Sequence, residues 1–450
     1  MTTAVERSRE ALIRQVFERN LGSLVGVFNE FFGAMEGLGA GDLVRTEQAL
    51  RAVLHHLGGE ATGEMLEQSD TELRALLRKT CRIHCNQHGR PCVGSLHSKG
   101  MKSVTVTTLF GEIRVRQWRG ECRTCLRLFG TVNDLLRLVD GHTPACASVV
   151  ALNAVVVPYE QARKLLLESA GLEVDDNRIK RVVDALGPRA KTCMEEVPRL
   201  RRDGLPPKGS RVYVMMDGGR IRMRENGGAW REPCTALVLW KDRHGRLRKR
   251  GISHPTDKEE VLRVVDRWMD RFAPGTDREV IVIADGADWI WKWAKGYPWA
   301  IPIVDYYHVK ENVWKAAKVL HGEGTPEAQR FVDRIMERLW SGWCRKTEKI
   351  LKRMKPREPR AAAKKDAITG LATYIKNHAS MIRFKRHKNK DRHIGSGAIE
   401  SMCKQLFSMR MKGPGMFWSE EGAANLMGLR TLYITEQWDQ LWQSDPRLAA

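Results

Sequence analysis

The sequence predicts a multidomain protein built around an α/β core, with a mixed sheet and helices on both of its faces. Three observations lead to this fold class. Residues 212–216 are a short apolar run of strand formers that ends in Asp217 and two glycines. Residues 280–283 repeat this arrangement and lead into Asp285 and Gly286. Around both runs, segments with strand-like and helical spacing alternate, which is typical of an α/β domain.

The two Asp-Gly ends predict a pair of carboxylates side by side at one end of the sheet. Each buried strand would present its aspartate at its carboxyl end, where the chain turns at glycine. Two carboxylates placed in this way repel each other unless a cation lies between them. Asp217 and Asp285 therefore predict a divalent-metal site.

The order of elements after residue 206 makes the prediction for the core more specific. Strands are expected at 211–217, 234–241, 247–253, 280–285 and 300–304, with helices at 258–272 and 288–295. This order matches that of a ribonuclease-H-like core, in which three strands are followed by a helix, a strand, a helix and a strand. Residues 206–310 form the first part of this predicted core.

A long helical insertion is expected at 311–390, before the chain completes the core at 391–437 and ends in a tail at 438–450. The helix before it opens at Asp305 and His308. The dense basic run at 383–393 predicts either a solvated loop or a track for phosphates.

The motif at 394–401 supplies a third carboxylate. Ser396 is a plausible N-cap, with Glu400 one turn into a helix that continues to Arg410. A ribonuclease-H-like core takes carboxylates from its first strand, its fourth strand and a late helix, which are the places of Asp217, Asp285 and Glu400. Such a triad can hold two Mg²⁺ ions for in-line phosphoryl transfer. The competing carboxylates are Asp288 for the second place and Asp391 or Glu421 for the third.

The first 79 residues are expected to form helices at 8–36, 43–57 and 63–79. The region 80–130 that follows is rich in cysteine. Cys81-x3-Cys85 and Cys122-x2-Cys125 flank a hairpin expected to turn at 110–112, the arrangement of a zinc ribbon. Free thiols are the alternative. The first pair is irregular, and four other residues could replace its members: His84, His88, Cys92 and His97.

A helix-turn-helix pattern is expected within the helical region 131–205, before a linker at 198–209. One helix ends at Gly171, and a second, basic helix runs over 177–186. The apolar residues of the second helix are expected to face inward: Ile179, Val182, Val183 and Leu186. The basic helix would direct Arg178, Lys180 and Arg181 toward DNA. A plain helical hairpin is the simpler alternative.

The overall composition favours a polyanionic partner. The 450 residues carry 76 Lys and Arg against 54 Asp and Glu, a formal net charge of +22. No apolar run approaches the length of a membrane span, and the opening residues have no apolar stretch typical of a secretory signal. These features predict a cytoplasmic protein without a membrane partner.

Several stretches together resemble bacterial insertion-sequence transposases of the DDE superfamily, most closely the Kra group. They are MMDGGRIRMRE at 215–225, IADGADWIW at 283–291, VDYYHVKENVW at 304–314, HIGSGAIES at 393–401 and RMKGPGMFWSEEGA at 410–423. The resemblance covers roughly residues 80–435.

This resemblance implies a catalytic function and its site. It implies a ribonuclease-H-like domain, the triad Asp217, Asp285 and Glu400, a requirement for Mg²⁺ or Mn²⁺, and cleavage and strand transfer at the ends of a mobile element. Asp305 and His308 are similar to a signature that supports the active site in related families, or they simply cap a helix.

The resemblance also implies partners and further DNA contacts. Double-stranded DNA, both the terminal inverted repeats and the target, would be bound by a homodimer or larger assembly in the bacterial nucleoid. Arg410 and Lys412 are expected DNA contacts, and Trp418 would stack on a flipped base or seal a turn. The rival functions are a metal-dependent nuclease or resolvase on the same core, and a catalytically inactive zinc-containing DNA-binding protein.

Overall fold

The computed structural model describes residues 4–37, 40–76, 84–85, 90–92, 94–196, 204–225, 227–275, 277–354 and 361–442. The chain divides into two compact units, Met1–Leu186 and Gly187–Ala450. Among the described residues, no helix has the length and apolar character needed to cross a membrane.

Two long helices open the first unit, α1 (Ala4–Gly37) and α2 (Ala40–Leu76). The sequence predicted two separate helices in place of α2, at 43–57 and 63–79. The predicted gap between these two helices is absent, because α2 is continuous where Gly58 packs against the ring of Phe110. A Cβ on Gly58 would lie 2.5 Å from Cδ1 of Phe110, so the glycine admits the Phe110 ring. This tertiary contact offsets the weak helix propensity of glycine.

The Cys-rich region forms a three-stranded antiparallel sheet next. Its strands are β3 (Leu96–Thr108), β4 (Gly111–Cys122) and β5 (Leu128–Gly130), preceded by the short pair β1 (His84–Cys85) and β2 (Arg90–Pro91). The predicted hairpin is present, but its turn lies at Leu109 and Phe110, one residue before the predicted 110–112, with Thr108 paired to Gly111. Gly111 has φ +103°, which favours glycine at this position.

Three helices follow, α3 (Pro144–Val156), α4 (Tyr159–Ala170) and α5 (Asp176–Glu195). The predicted helix end at Gly171 is confirmed, and Gly171 caps α4 in the left-handed conformation with φ +65°. The inward face predicted for α5 is also correct: Ile179, Val182, Val183 and Leu186 are fully buried.

A mixed five-stranded sheet forms the centre of the second unit, as the sequence predicted. Its strands are β6 (Arg211–Gly218), β9 (Cys234–Lys241), β10 (Leu247–His254), β11 (Glu279–Ala284) and β12 (Ile301–Val304); a separate ribbon pairs β7 (Ile221–Arg222) with β8 (Trp230–Arg231). The spatial order is β10-β9-β6-β11-β12. The pairs β10–β9 and β9–β6 are antiparallel, whereas β6–β11 and β11–β12 are parallel.

The helices of this unit begin with α6 (Lys258–Phe272) and α7 (Asp288–Ala294) and continue through the predicted helical insertion into the last part of the chain. The later helices are α8 (Tyr306–His321), α9 (Pro326–Trp340), α10 (Cys344–Arg353), α11 (Ala361–Asn377), α12 (Phe384–Asn389), α13 (Gly397–Cys403) and α14 (Glu420–Ile434). Apolar residues of α6 pack on the sheet, where Trp240 and Phe272 have ring centroids 4.4 Å apart. Each such buried aromatic side chain contributes about 1.5–3 kcal/mol.

Two predictions for the late region need correction. The basic run at 383–393 is not simply a loop, because part of it forms α12, with Phe384 and His387 buried. The helix expected to run to Arg410 ends as an α-helix at Cys403 and continues as a π-helical turn, Lys404–Ser408. Such π-turns are frequent at functional sites.

The segment before α13 is held against the start of the sheet by an ion-pair network. Glu279, at the beginning of β11, accepts a hydrogen bond from Arg211 Nε at 2.9 Å and another from the buried Arg392. Arg211 also donates to the backbone carbonyl of Lys390 at 2.6 Å. Both guanidinium groups lower the pKa of Glu279, with the Arg392 hydrogen bond as the largest cause.

We expect Glu279→Gln to lower the free energy of unfolding by about 1–3 kcal/mol, because it leaves the buried Arg392 without its carboxylate. Since the folded-state pKa of Glu279 lies below its ordinary 4.5, this contribution is complete above that pH and disappears as the pH falls through the folded-state value. Urea unfolding at several pH values measures both effects. The control is Glu327→Gln, which breaks an exposed pair with Arg330 and should cost under about 0.5 kcal/mol. Equal losses in the two variants would contradict the assignment.

Candidate functional site

Three carboxylates lie at the same edge of the central sheet, at the carboxyl ends of parallel strands. Asp217 is the penultimate residue of β6, Asp285 directly follows β11, and Asp305 directly follows β12. The register pairs Met215 with Ile283 and Ile283 with Ile303, so the three strands end level with one another. The predicted juxtaposition of Asp217 and Asp285 is therefore seen in the strand register.

The electrostatics show that Asp217 and Asp285 interact. Burial raises the pKa of the Asp217 carboxyl above its ordinary value, and the charge of Asp285 adds to the rise. The backbone N–H of Gly218 donates to Asp217 Oδ1 at 2.7 Å and opposes the rise, as does the charge of His308. An ionised Asp217 is thus costly here unless further positive charge is present.

Asp285 is held by its own turn and lies near an aromatic side chain of the insertion. Its Oδ1 accepts a hydrogen bond from the backbone N–H of Ala287 at 2.9 Å. A Cβ on Gly286 would lie 3.0 Å from Cε2 of Tyr374 and 3.5 Å from the ring of His378. Burial, followed by the charge of Asp285, raises the pKa of Tyr374. Sequence reasoning missed Tyr374 and His378, because nothing in a helical insertion marks which of its residues face the sheet.

Asp305 joins the start of α8 to the start of α13. Its side chain is fully buried, Oδ1 accepts from the backbone N–H of His308 at 2.8 Å, and Oδ2 accepts from the backbone N–H of Ser396. Asp305 is therefore the N-cap of α8, as one of the two sequence interpretations proposed. It also fixes the residue that precedes the glutamate helix.

Glu400 lies beside His308 and Ser396. The Ser396 hydroxyl donates to Glu400 Oε1 at 2.6 Å, and His308 Nε2 lies 3.8 Å from the same oxygen. The other ring nitrogen of His308 lies 3.7 Å from Glu311 Oε2. Ser396 occupies the predicted N-cap position, but its hydroxyl bonds to the side chain of Glu400 and makes no capping bond to the α13 backbone.

Asp305, His308 and Glu400 form a group that could hold a metal ion, with their ligand atoms all within 4.8 Å of one another. This group shares only Glu400 with the predicted triad. Asp217 is linked to it electrostatically through His308, and Asp285 is linked through Asp217. We call these five residues the acidic site: Asp217, Asp285, Asp305, His308 and Glu400.

The competing carboxylates are not part of the group that could hold a metal ion. Asp391 Oδ2 is 3.4 Å from Arg211 Nη1, at the opposite end of β6 from Asp217. Asp288 and Glu421 are in the exposed first turns of α7 and α14.

A second group that could hold a metal ion lies in the first unit and consists of Cys92, Cys122 and Cys125. The Cys92 and Cys122 sulfurs are 3.5 Å apart and both are buried. Burial raises the pKa of the Cys122 thiol, but hydrogen bonds from the Cys125 and Thr124 backbone outweigh it and lower the pKa to about 7.

Of the predicted ligands, the structure brings Cys122 and Cys125 together and adds Cys92, which the sequence offered only as an alternative. Cys81 lies outside the described residues, and so do the side chains of Cys85 and His84 and the whole of His88. His97 is exposed on β3.

The basic residues of α5 are paired with acidic groups. Arg178 bonds to Glu112 and, at 2.6 Å, to Thr107 Oγ1, so it connects α5 to the hairpin. Lys180 pairs with Asp184, and Arg181 Nε lies 3.0 Å from Asp140 Oδ2. Arg178 thus has a structural contact in place of the predicted free surface, whereas Lys180 and Arg181 remain about half exposed.

The Gly-Pro-Gly turn after α13 is closed by Trp418. Its indole N–H donates to the Met411 carbonyl at 3.0 Å, which favours the turn-sealing interpretation over base stacking. The Arg410 guanidinium lies 5.5 Å from the Trp418 ring centroid and the residue is 2% exposed. Arg410 therefore packs inside the unit, whereas the sequence predicted it as a DNA contact at the surface. Lys412 is exposed.

We expect Asp305→Asn to destabilise the protein by about 1–3 kcal/mol, because the N–H groups of His308 and Ser396 bond to different carboxylate oxygens and asparagine keeps only one of these acceptors. Its amide group would meet one of those N–H donors. The matched control is Asp257→Asn at the N-cap of α6, where one N–H, that of Glu260, is accepted at 2.9 Å. Asparagine caps such a helix as well as aspartate, so this change should cost only a few tenths of a kcal/mol. Chemical denaturation compares the two, and equal losses would contradict the double role of Asp305.

Comparison with known families adds one match. Residues 234–440 match the family model described as "Uncharacterised protein family (UPF0236)". The matched segment contains Asp285, Asp305, His308 and Glu400 and begins after Asp217. No curated protein matches the chain.

Proposed function

We propose that this chain is a DNA transposase of the DDE type, which cleaves DNA at the ends of an insertion sequence and transfers the strands to a target. One observation carries the proposal: Asp217 and Asp285 end neighbouring parallel strands, and Glu400 arrives at His308 from a later helix. Carboxylates gathered in this way are suited to divalent cations and phosphoryl transfer.

The sheet topology supports a ribonuclease-H-like core. Three consecutive antiparallel strands, β6, β9 and β10, are followed by β11 and β12, which extend the sheet on the other side of β6 in parallel. This is the arrangement expected for such a core, with the first strand at the centre of the sheet. The helical insertion between β12 and α13 accounts for the long separation of Asp285 and Glu400.

The donor set fits Mg²⁺ or Mn²⁺. Asp217, Asp285 and Glu400 would hold the cations, with Asp305 and His308 beside them. Carboxylate oxygens are the ligands that these hard cations prefer, and the mutual repulsion of Asp217 and Asp285 is relieved by positive charge. When bound, the cations would activate a water or a 3′-hydroxyl and stabilise the departing oxygen.

The residues of the chain itself position Glu400. Its two described contacts, from Ser396 and His308, both involve Oε1. Ser396 is in turn fixed by the buried Asp305 through its backbone N–H. The carboxylate therefore has a defined orientation before any substrate arrives, and such pre-organisation lowers the cost of reaching the reactive geometry.

Charge supports DNA as the substrate. The net charge of +22 favours a polyanion, and Lys180, Arg181 and Lys412 are exposed. Arg178 and Arg410 are not included among the proposed DNA contacts, because both make structural contacts.

We expect Asp217→Asn, Asp285→Asn and Glu400→Gln each to reduce strand transfer at least about 100-fold, since each removes one charge from the acidic site. DNA binding should change little. The assay uses Mg²⁺ and labelled ends from DNA flanking the gene. The matched controls are Asp288→Asn and Glu421→Gln, exposed carboxylates near the same motifs, which should retain activity.

The outcomes separate the rival functions. Cleavage without joining by the unmodified protein would indicate a nuclease or resolvase. Tight binding of the ends without products would favour an inactive DNA-binding protein. Cleavage that survives all three carboxylate changes would refute the acidic site as the catalytic centre.

The proposal includes a structural Zn²⁺ in the first unit. Three cysteines with one lowered pKa fit a zinc thiolate site, which takes four tetrahedral ligands. The fourth ligand would come from residues 81–88, where Cys81, His84, Cys85 and His88 are the candidates.

We expect about one zinc per chain in protein purified without chelator, and Cys92→Ser, Cys122→Ser or Cys125→Ser should lower this content and destabilise the first unit. Elemental analysis measures the metal. Cys193→Ser, at a half-buried cysteine outside the group, should keep the full content. Zinc-free wild-type protein would show that the three thiols serve another purpose.

A further inference from the structure

A cavity of about 1060 Å³ in the second unit extends along β6, from its first residues to Met215, and reaches the start of α8 and the start of α13. Its floor includes Tyr213 and Met215 of β6, and its sides include Tyr306, Tyr307 and Trp340. Lys388 lines it as well. This volume is at the upper end of the range for small-ligand sites, and it is large enough for one or two nucleotides.

The cavity and the acidic site share the same pieces of chain. Tyr306 and Tyr307 directly follow Asp305, and Gly397 and Ala398 are the first residues of α13, whose first turn carries Glu400. Because side chains alternate along a strand, Tyr213 and Met215 lie on the same face of β6 as Asp217. The step from Asp217 to Tyr213 is about 13 Å at roughly 3.3 Å per residue. That length equals about four stacked base steps of roughly 3.4 Å.

Aromatic rings form the part of the wall that directly follows Asp305 in the chain, and they hold one another in place. Tyr306 packs edge-to-face on Tyr307, Trp340 and Phe384, with centroid separations of 5.4, 5.9 and 5.1 Å. Tyr307 is 62% exposed, so its ring offers open surface. Gly395 lets that ring lie against the backbone, since a Cβ there would be 3.0 Å from Tyr307 Cε2. Rigid, exposed aromatic rings are platforms for unpaired bases.

The charges at the rim suit a phosphate backbone. Lys241 and Lys388 are exposed, and neither is paired with a carboxylate in the described part of the chain. The acidic lining residue Asp391 is 3.4 Å from Arg211, which also pairs with Glu279. The cavity therefore has two available cations beside a neutralised network.

The geometry points to an unpaired nucleotide of the DNA strand as the occupant of this cavity, held within a few nucleotides of the phosphate at the acidic site. This inference rests on the proposed function, since it takes DNA as the substrate. The base would stack on Tyr307, and the adjoining phosphates would contact Lys241 and Lys388.

Full-length protein is tested with two DNAs in the absence of divalent cations, so that binding is measured without cleavage. One is a blunt duplex of about 30 base pairs, and the other carries a short single-stranded overhang with 2-aminopurine, whose fluorescence falls on stacking. We expect the overhang DNA to bind at least about fivefold more tightly, which corresponds to roughly 1 kcal/mol for one stacked base. Its fluorescence should fall on binding.

Variants assign this preference to the cavity. Tyr307→Ala should abolish both the preference and the quenching, whereas Tyr307→Phe should keep them because the ring remains. The matched control is Tyr433→Ala, which removes a tyrosine that is 41% exposed on α14 and does not line the cavity. It should behave as the unmodified protein.

Equal affinity for the two DNAs, or a preference that persists in Tyr307→Ala, would overturn the inference. A cavity that takes free dAMP with the same Tyr307 dependence but gives overhang DNA no advantage would also overturn it, because the nucleotide would then not belong to a strand. Failure of the proposed function is visible separately, as cleavage that does not depend on the acidic-site carboxylates.

Discussion

Mutual repulsion among carboxylates at one edge of the sheet is the constraint on which the second unit depends. Parallel strands β6, β11 and β12 carry Asp217, Asp285 and Asp305 to the same edge, and burial together with the charge of Asp285 makes an ionised Asp217 costly. The chain offsets part of this cost locally, since a backbone N–H donates to each of the three. The turns that end the strands therefore also stabilise the negative charges, and the repulsion that remains is what a bound cation would relieve.

At the opposite end of the same strands, an ion-pair network fixes the segment that leads into α13. Glu279 accepts hydrogen bonds from Arg211 and Arg392, and these bonds hold the segment before α13 against the start of the sheet. That segment then crosses the face of β6, where the backbone N–H of His393 contacts the Tyr213 hydroxyl at 3.3 Å, and reaches Ser396 at the acidic site. Contacts at both ends of β6 thus determine where Glu400 lies. The cavity lies along the same path, so its shape depends on these contacts too.

The parts of the fold that the sequence predicted are those set by local rules. Strands that end in Asp-Gly, the hairpin turn beside Gly111, the end of α4 at Gly171 and the inward face of α5 all follow from short-range patterns, and the structure agrees with them. The candidate site was predictable to the same extent. Asp217 and Asp285 meet because their strands are neighbours, which the repeated motif implied.

The parts that the sequence did not predict depend on contacts between distant segments. The continuity of α2 needs the Phe110 ring at Gly58, and the burial of Arg410 needs Trp418. Arg178 was predicted to be a surface cation because its partners, Thr107 and Glu112, are distant in the sequence. Cys92 stood among several possible ligands because spacing alone does not say which thiol a hairpin brings to Cys122. In each case the residue type could be interpreted from the sequence, but its contact partner could not be identified.

Because Asp305 accepts hydrogen bonds from both sides of the helical insertion, it holds the two ends of the insertion together. Asp305 accepts from His308 at one end of the excursion and from Ser396 at the other, and Tyr306 N–H donates to the Ile394 carbonyl at 3.0 Å. The chain therefore leaves and re-enters the sheet edge at a single point. Because loop closure costs only about 0.6 kcal/mol for each doubling of length, the excursion can grow, shrink or be exchanged for another domain while Glu400 keeps its position. The position of Glu400 therefore does not depend on the length of the insertion, and the separation of the acidic-site residues along the chain carries little information about their geometry.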